Sequence, residues 1–327
     1  MTTSTISAEP AAPAGSAPGG AAPAPVRRRR GPRTSTLFVW AFAGPALLVY
    51  VGFVLVPVGL AAVYSLFNWN GLGPLERFIG FDNYVRALGD PVFLGAIVHN
   101  LGIVGLSLVI QGPLAIGIAL LLNRPLRGRT AIRTLIFVPY VLSEVVAALA
   151  FKLMLPPDGP FDTFLAALGW TGDTPQWLAD PDIAFWTLFA VLTWKYVGFA
   201  IILMLAGLQG VPEELFEAAQ IDGASWWQIQ RYITLPLLGP TIRIWAFLSI
   251  IGSLQLFDMV WVLTGGGPLN STTTMATYMV QFGFQRSQLG FGSAVAVILF
   301  IISLVIALAY QRFVLRRDLA GAITRGG

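Results

Sequence analysis

A chain of 327 residues that is 56% hydrophobic and only 11% charged lies far from the soluble balance, in which about a quarter of residues are charged. Such a sequence cannot hide its apolar surface in one soluble core, and without cysteine it can form neither a disulfide nor a thiolate metal site. The net charge of +4 is modest, and the arginines gather at the ends of apolar runs rather than on one basic face, which argues against nucleic acid as a partner.

Residues 1–26 are almost wholly Ala, Pro, Gly, Ser and Thr, a composition that buries nothing, so 1–34 is expected to be a disordered tail. Arg27 to Arg30 and Arg33 stand directly before the apolar run Leu37 to Phe67. That run is about twice the length of a signal-peptide core, which argues for a span, with Gly44, Pro45, Gly52 and Pro57 available to bend it. Further apolar segments follow at Leu94 to Leu122, Thr134 to Leu155, Ala184 to Leu208, Leu237 to Leu263 and Gly290 to Phe313, each near or above the roughly 20 residues a bilayer core demands. The pattern predicts an all-α polytopic membrane protein, with six transmembrane helices in residues 35–318 and a short tail at 319–327.

Lysine and arginine near span ends set orientation. The N-terminal segment, the connection with Arg124, Arg127, Arg129 and Arg133, and the C-terminal end with Arg312, Arg316, Arg317 and Arg325 carry the cations. The 156–183 connection holds Asp158, Asp162, Asp173, Asp180 and Asp182 without a cation, and the other outer loops hold only Arg77, Arg86 and Arg286. Both termini are therefore expected in the cytoplasm, and the parity of the spans places the acidic stretch 209–236 there too.

That stretch, between spans four and five, is a polar island. A short helix is expected to start near Pro212, with Glu213, Glu214 and Glu217 near the positive end of its dipole. Gly223 stands where a left-handed residue must stop the helix, and Ser225 is placed to cap a second short helix, Trp226 to Tyr232, before Leu235-Pro236 breaks into the next span. Two small helices joined at a glycine make a stiff, partly apolar knob with Arg231 as its one cation.

Ionisable and amide groups inside spans usually face a partner helix or an aqueous path. Asn100, Glu144, Lys195, Gln255, Asp258 and Trp261 are the candidates for a substrate path. Gln255, Asp258 and Trp261 recur every three residues, and amide, carboxylate and ring suit sugar hydroxyls and the sugar's CH face. An internal ion pair among Glu144, Lys195 and Asp258 is an equal alternative. Ser249, Gly252, Ser253 and Leu256 form a narrow face suited to close helix approach. Lys152 is expected to snorkel to headgroups, and His99, the only histidine, to sit at the interface, with no partner to share a metal.

Glu217-Ala218-Ala219, Asp222-Gly223-Ala224 and Ile233-Thr234-Leu235-Pro236 together resemble the EAA signature of the inner-membrane permeases of binding-protein-dependent ABC importers. Gln230 departs from it, where many relatives carry an aromatic residue. The resemblance implies the type I ABC importer permease fold, and a coupling helix in which Glu217, Ala218, Ala219, Asp222, Gly223, Ala224, Trp227, Arg231, Leu235 and Pro236 meet a separate ATPase, with Glu217 central to coupling. Phe81-Asp82-Asn83-Tyr84, His99-Asn100, Phe137-Val138-Pro139, Phe257-Asp258, Leu263 to Pro268 and Thr272 to Thr274 look like the carbohydrate-uptake branch, on the first permease subunit of the maltose type. It lacks the large periplasmic insertion some of those carry.

The resemblance implies a second homologous permease, an ATPase dimer, an extracytoplasmic sugar-binding protein or lipoprotein and the lipid bilayer as partners. No Gly-x-x-x-x-Gly-Lys-Ser/Thr loop occurs in the chain, so ATP and Mg are expected on the ATPase and no cofactor on this chain. Thr264 to Pro268 reads either as an ordinary Gly-Pro turn or as a functional loop. An ion-gradient-driven secondary transporter is the rival reading, with inverted repeats as its mark, and no convincing repeat is seen. A scaffold or sensor would need a cytosolic output domain for which the tails leave no room. An importer of glycerol-phosphate or another polar solute would favour cations in its cavity, and Lys195 is the mid-span candidate.

Overall fold

A computed structural model describes residues 36–124 and 127–315. The two tails, with Arg27 to Arg30, Arg33, Arg316, Arg317 and Arg325, lie outside the described residues, as do the side chains of 36–39. Of the described residues, those to Gly52 fall in one compact unit and those from Phe53 in another. In the first, α1 (Thr36–Tyr50) carries no charged residue, with Trp40 and Leu48 exposed, as befits a helix whose solvent is lipid.

The second unit runs through α2 (Val56–Tyr64), α3 (Asp82–Gly89), α4 (Pro91–Leu106), α5 (Gly112–Leu122), α6 (Arg129–Val141), α7 (Glu144–Met154), α8 (Pro160–Ala167) and α9 (Pro181–Gln209). It continues through α10 (Glu214–Ile221), α11 (Trp226–Ile229), α12 (Leu235–Leu254), α13 (Asp258–Leu263), α14 (Met275–Tyr278) and α15 (Leu289–Tyr310). Among the described residues there is no strand beyond an isolated bridge, Phe67 to Phe78.

Helix, length and hydropathy agree at Trp40–Tyr64, Pro91–Leu122, Pro181–Gln209, Trp226–Leu254 and Leu289–Leu315, giving 5 continuous candidate spans among the described residues. The expected third span, Thr134 to Leu155, is instead a bent pair, α6 and α7 meeting at 94°. Leu142 and Ser143 are extended there, with ψ of 145° and 141°, and the free carbonyls at the end of α6 find a cation from another helix. The expected fifth span, Leu237 to Leu263, ends at Leu254, and α13 restarts at Asp258.

Several spans contain wide i→i+5 turns, three of them ending two residues before a proline: Val51–Leu55 before Pro57, Ser107–Gln111 before Pro113 and Gln230–Thr234 before Pro236. Proline has no N–H to donate and its ring crowds the carbonyl four residues back, so an extra residue in the turn lets the helix continue.

The core of this unit lies in patches where α9 and α12 meet their neighbours. Leu188, Val191 and Leu192 of α9 pack on Ala147 and Ala148 of α7 and on Met259 and Val260 of α13. Further along α9, Ala200, Ile201 and Met204 pack on Ala115 and Ala119 of α5 and Leu238 of α12. Elsewhere Phe93, Tyr278 and Phe291 join α4, α14 and α15. The Tyr278 hydroxyl donates to Asp90 Oδ2 at 2.6 Å, and burial followed by this bond pushes the phenol above its usual range.

The motif residues outside the knob have structural work. Asn83 donates to the Ser65 and Phe67 carbonyls at 2.8 and 3.1 Å, and Tyr84 bonds Ser65 at 2.6 Å. His99 Nδ1 lies 2.9 Å from the Thr273 carbonyl and is half-buried. Thr264 to Thr274 is a loop bonded to itself: Thr264 and Thr272 hydroxyls meet at 2.7 Å, and Thr273 donates to the Gly266 carbonyl at 3.0 Å. Lys152, exposed, donates to the Val262 carbonyl at 3.1 Å, near the negative end of α13.

Candidate functional site

The polar residues of the spans divide into those that tie helices together and those that face an open space. Asn100, fully buried, is a tie. Its amide nitrogen donates to the Ser253 carbonyl at 2.7 Å, and its oxygen accepts from the Met275 N–H at 2.9 Å, so one side chain joins α4, the end of α12 and the start of α14. Lys195 is another. It is 2% exposed, and its ammonium donates to the carbonyls of Pro139 and Tyr140, both at 2.9 Å, and of Leu142. The next residue, Tyr196, donates to Glu144 Oε1 at 2.5 Å. Two consecutive residues of α9 therefore hold both sides of the α6–α7 bend. Gly198, one turn on, lets α9 reach the α6 backbone, since a Cβ there would overlap the Ile136 carbonyl.

Around this bend lies a cavity of about 430 Å³, inside the range of small-molecule sites. Ser107 and Gln111, Tyr140, Glu144, Tyr196 and Phe199 form one part of its wall; Trp245, Ser249, Ser253, Gln255 and Asp258 form another. The rings of Tyr140 and Phe199 stack at 4.8 Å and 19°, a flat apolar surface beside hydroxyls, amides and carboxylates. Gln255 and Asp258 both reach the cavity, though not by sharing a helical face: the helix stops between them. Trp261 stacks on Phe257 at 5.4 Å instead of lining the wall. Ser249, Gly252, Ser253 and Leu256 line the cavity, and a Cβ on Gly252 would meet nothing within 4 Å. Small residues here make room for a solute-sized space.

The second candidate site is the knob. Glu213 is the N-cap of α10, one residue after Pro212, and Glu217 is exposed in its first turn. Gly223 has φ +77° with open space where a Cβ would stand. The Ser225 side chain accepts from the Gln228 N–H while Gln228 Oε1 accepts from the Ser225 N–H at 2.7 Å, a reciprocal cap. The expected second short helix is not separate: α11 passes through the wide turn at Gln230–Thr234 directly into α12, because that turn accommodates Pro236. Gln230, the departure from the signature, is buried in it.

Around the turn Ile221, Trp227 and Tyr232 are exposed, and a groove of about 310 Å³ runs past Asp222, Gly223, Ala224, Gln228 and Tyr232. Ala219 is buried, whereas Ala218, Arg231 and Pro236 are exposed and Leu235 half-buried. Arg124, from the loop after α5, lies over Trp226 at 4.7 Å and braces the knob.

Residues 111–318 match the family described as "Binding-protein-dependent transport system inner membrane component". The chain belongs to that family. It is 36% identical over 286 residues to the lactose transport system permease protein LacF of Rhizobium radiobacter, covering 85% of this chain and 94% of that protein. To the trehalose/maltose transport system permease protein MalF of Thermococcus litoralis it is 33% identical over 269 residues, covering 82% and 90%. In structure it is similar to a chain of a bacterial alginate ABC transporter in complex with alginate pentasaccharide-bound periplasmic protein, with TM-score 0.73, 26% identity and coverage of 84% and 93%. For this inner-membrane component the all-α permease architecture read from the sequence holds.

Of the path candidates, Glu144, Gln255 and Asp258 reach the cavity, whereas Asn100, Lys195 and Trp261 do not. Sequence reading missed Ser107, Gln111, Tyr140, Tyr196, Phe199 and Trp245. Ser107 and Gln111 bound the wide turn before Pro113, a polar pair in an apolar run that could have marked them.

Proposed function

We propose that this chain is the permease subunit of an ATP-driven importer that carries a sugar or oligosaccharide across the bacterial cytoplasmic membrane. It works beside a second homologous permease, a dimer of ATPase subunits and an extracytoplasmic sugar-binding protein or lipoprotein, with both termini and the knob on the cytoplasmic side. The observation that carries the reading is that the family match, 111–318, takes in the knob and most of the cavity wall together. ATP and Mg belong to the partner ATPase.

The geometry supports a direct linkage. Because α11 continues into α12 without a break, displacement of the knob by the closing ATPases moves the helix that carries Ser249, Gly252 and Ser253 in the cavity wall. The capped, glycine-turned knob resists bending under that push, and the α6–α7 bend held by Lys195 and Tyr196 gives the moving wall a fixed opposite side. Rings and neutral hydrogen-bonding groups together suit a pyranose.

Purification of the chain in mild detergent from its native membrane tests the reading. A co-purifying second permease and ATPase, with hydrolysis stimulated by sugar and binding protein, is expected. A chain that purifies alone and moves solute on an ion gradient without ATP sinks it. Within the complex, Glu217→Ala should leave the protein in the membrane but abolish uptake and stimulated hydrolysis; normal transport by that variant removes Glu217 from coupling.

A further inference from the structure

The cavity wall carries two carboxylates, Glu144 and Asp258, and among the described residues no lysine or arginine. The neighbouring cation, Lys195, is spent elsewhere: it is buried against the carbonyls of Pro139, Tyr140 and Leu142 and presents no free donor to the cavity. Its charge offsets one carboxylate at most: it stands at the bend that carries Glu144, bonded to the Leu142 carbonyl. Asp258 is exposed, and no lysine or arginine stands with it among the described residues that line the cavity. What makes the two acids tolerable is position, since each stands in the first turn of a helix, α7 and α13, and Glu144 also accepts the Tyr196 hydroxyl. These compensations act on the carboxylates themselves and offer nothing to an incoming anion. The remaining polar lining, Ser107, Gln111, Ser249, Ser253 and Gln255, is neutral.

We infer that this half of the pathway admits uncharged and amino saccharides and rejects saccharides that bear a carboxylate or phosphate, with Glu144 and Asp258 as the discriminating residues. The inference rests on the sugar-importer function proposed above and names the substrate class within it. An anion entering the cavity loses water and meets like charge without a cationic partner, which is discrimination by repulsion rather than by fit. A hydroxyl can donate to either carboxylate, and an ammonium gains more from both. Likeness of fold to an importer of alginate therefore does not carry over a preference for acidic sugars.

The test uses the intact transporter complex without its binding protein, so that selection upstream does not mask selection here. Equilibrium dialysis compares cellobiose, cellobiouronic acid and fully deacetylated chitobiose, which share a two-ring frame and differ in charge. The neutral and amino sugars should bind at least about tenfold more tightly than the uronate. Asp258→Asn should close most of that gap and Glu144→Gln should act in the same direction, each judged on complexes of unchanged subunit composition. Equal binding of the uronate by the unmodified complex overturns the inference and leaves the importer function standing; so does a gap that neither variant narrows. Binding of no saccharide, with uptake that follows an ion gradient instead of ATP, overturns both.

Discussion

The knob and the cavity are built at opposite ranges along the chain. In the knob the decisive contacts are near neighbours: Ser225 with Gln228, three residues apart, and the Gly223 turn between them and α10. In the frame of the cavity Asn100 reaches residues 153 and 175 positions away, and Lys195 reaches 53 to 56 positions back. A local device can be damaged without unfolding the protein; a frame of distant ties cannot lose a tie without loosening several helices.

Gly198→Val should have the largest effect. Its side chain would meet the Ile136 carbonyl, and forcing α6 from α9 costs about 3 kcal/mol or more, read as a large fall in thermal unfolding temperature in detergent and in membrane yield. A variant that unfolds like the parent removes the close α6–α9 approach. Lys195→Met comes next, since it leaves three carbonyls at the end of α6 without their donor, for about 2 to 3 kcal/mol. Unfolding should again report the loss; no change would show that the bend holds itself.

Gly223→Val should cost about 1 to 2 kcal/mol of local backbone strain and leave global unfolding nearly untouched while the ATPase no longer co-purifies. A complete complex from that variant breaks the claim that the left-handed turn shapes the docking surface. The smallest effect is expected for Ser225→Ala, about 1 kcal/mol, seen as faster hydrogen exchange at the first amides of α11 and not elsewhere. Exchange that spreads through α12 would mean the knob is less local than its contacts.

The same contrast explains what could be read in advance. Gly223 and Ser225 announce themselves because turn and cap are properties of a few adjacent residues. Pro236 misled, since a proline after an apolar stretch looks the same whether it ends a helix or follows a wide turn that absorbs it. The bend at Leu142–Ser143 gave no local signal strong enough to outweigh an apolar run of span length, and its stabilising cation comes from another helix. Polarity inside a span marks Asn100, Lys195, Glu144 and Asp258 equally. Whether such a group ties helices or faces open space depends on partners more than fifty residues away, which spacing along one helix cannot reveal. The three-residue rhythm of Gln255, Asp258 and Trp261 presumed a continuous helix and so mistook the route by which two of them reach the cavity.

The wide turn at Gln230–Thr234 also sets an angle. Each residue of an α-helix advances the face by about 100°, so one extra residue between Ser225 and Leu235 turns all of α12 relative to an uninterrupted helix. The ring of Pro236 prevents the surplus from being squeezed out, because closing the turn would drive that ring into the carbonyl of Tyr232. Whether Ser249 and Ser253 look into the cavity or away from it is thus decided more than a dozen residues earlier, beside the knob, by an imino acid acting as a rotational stop.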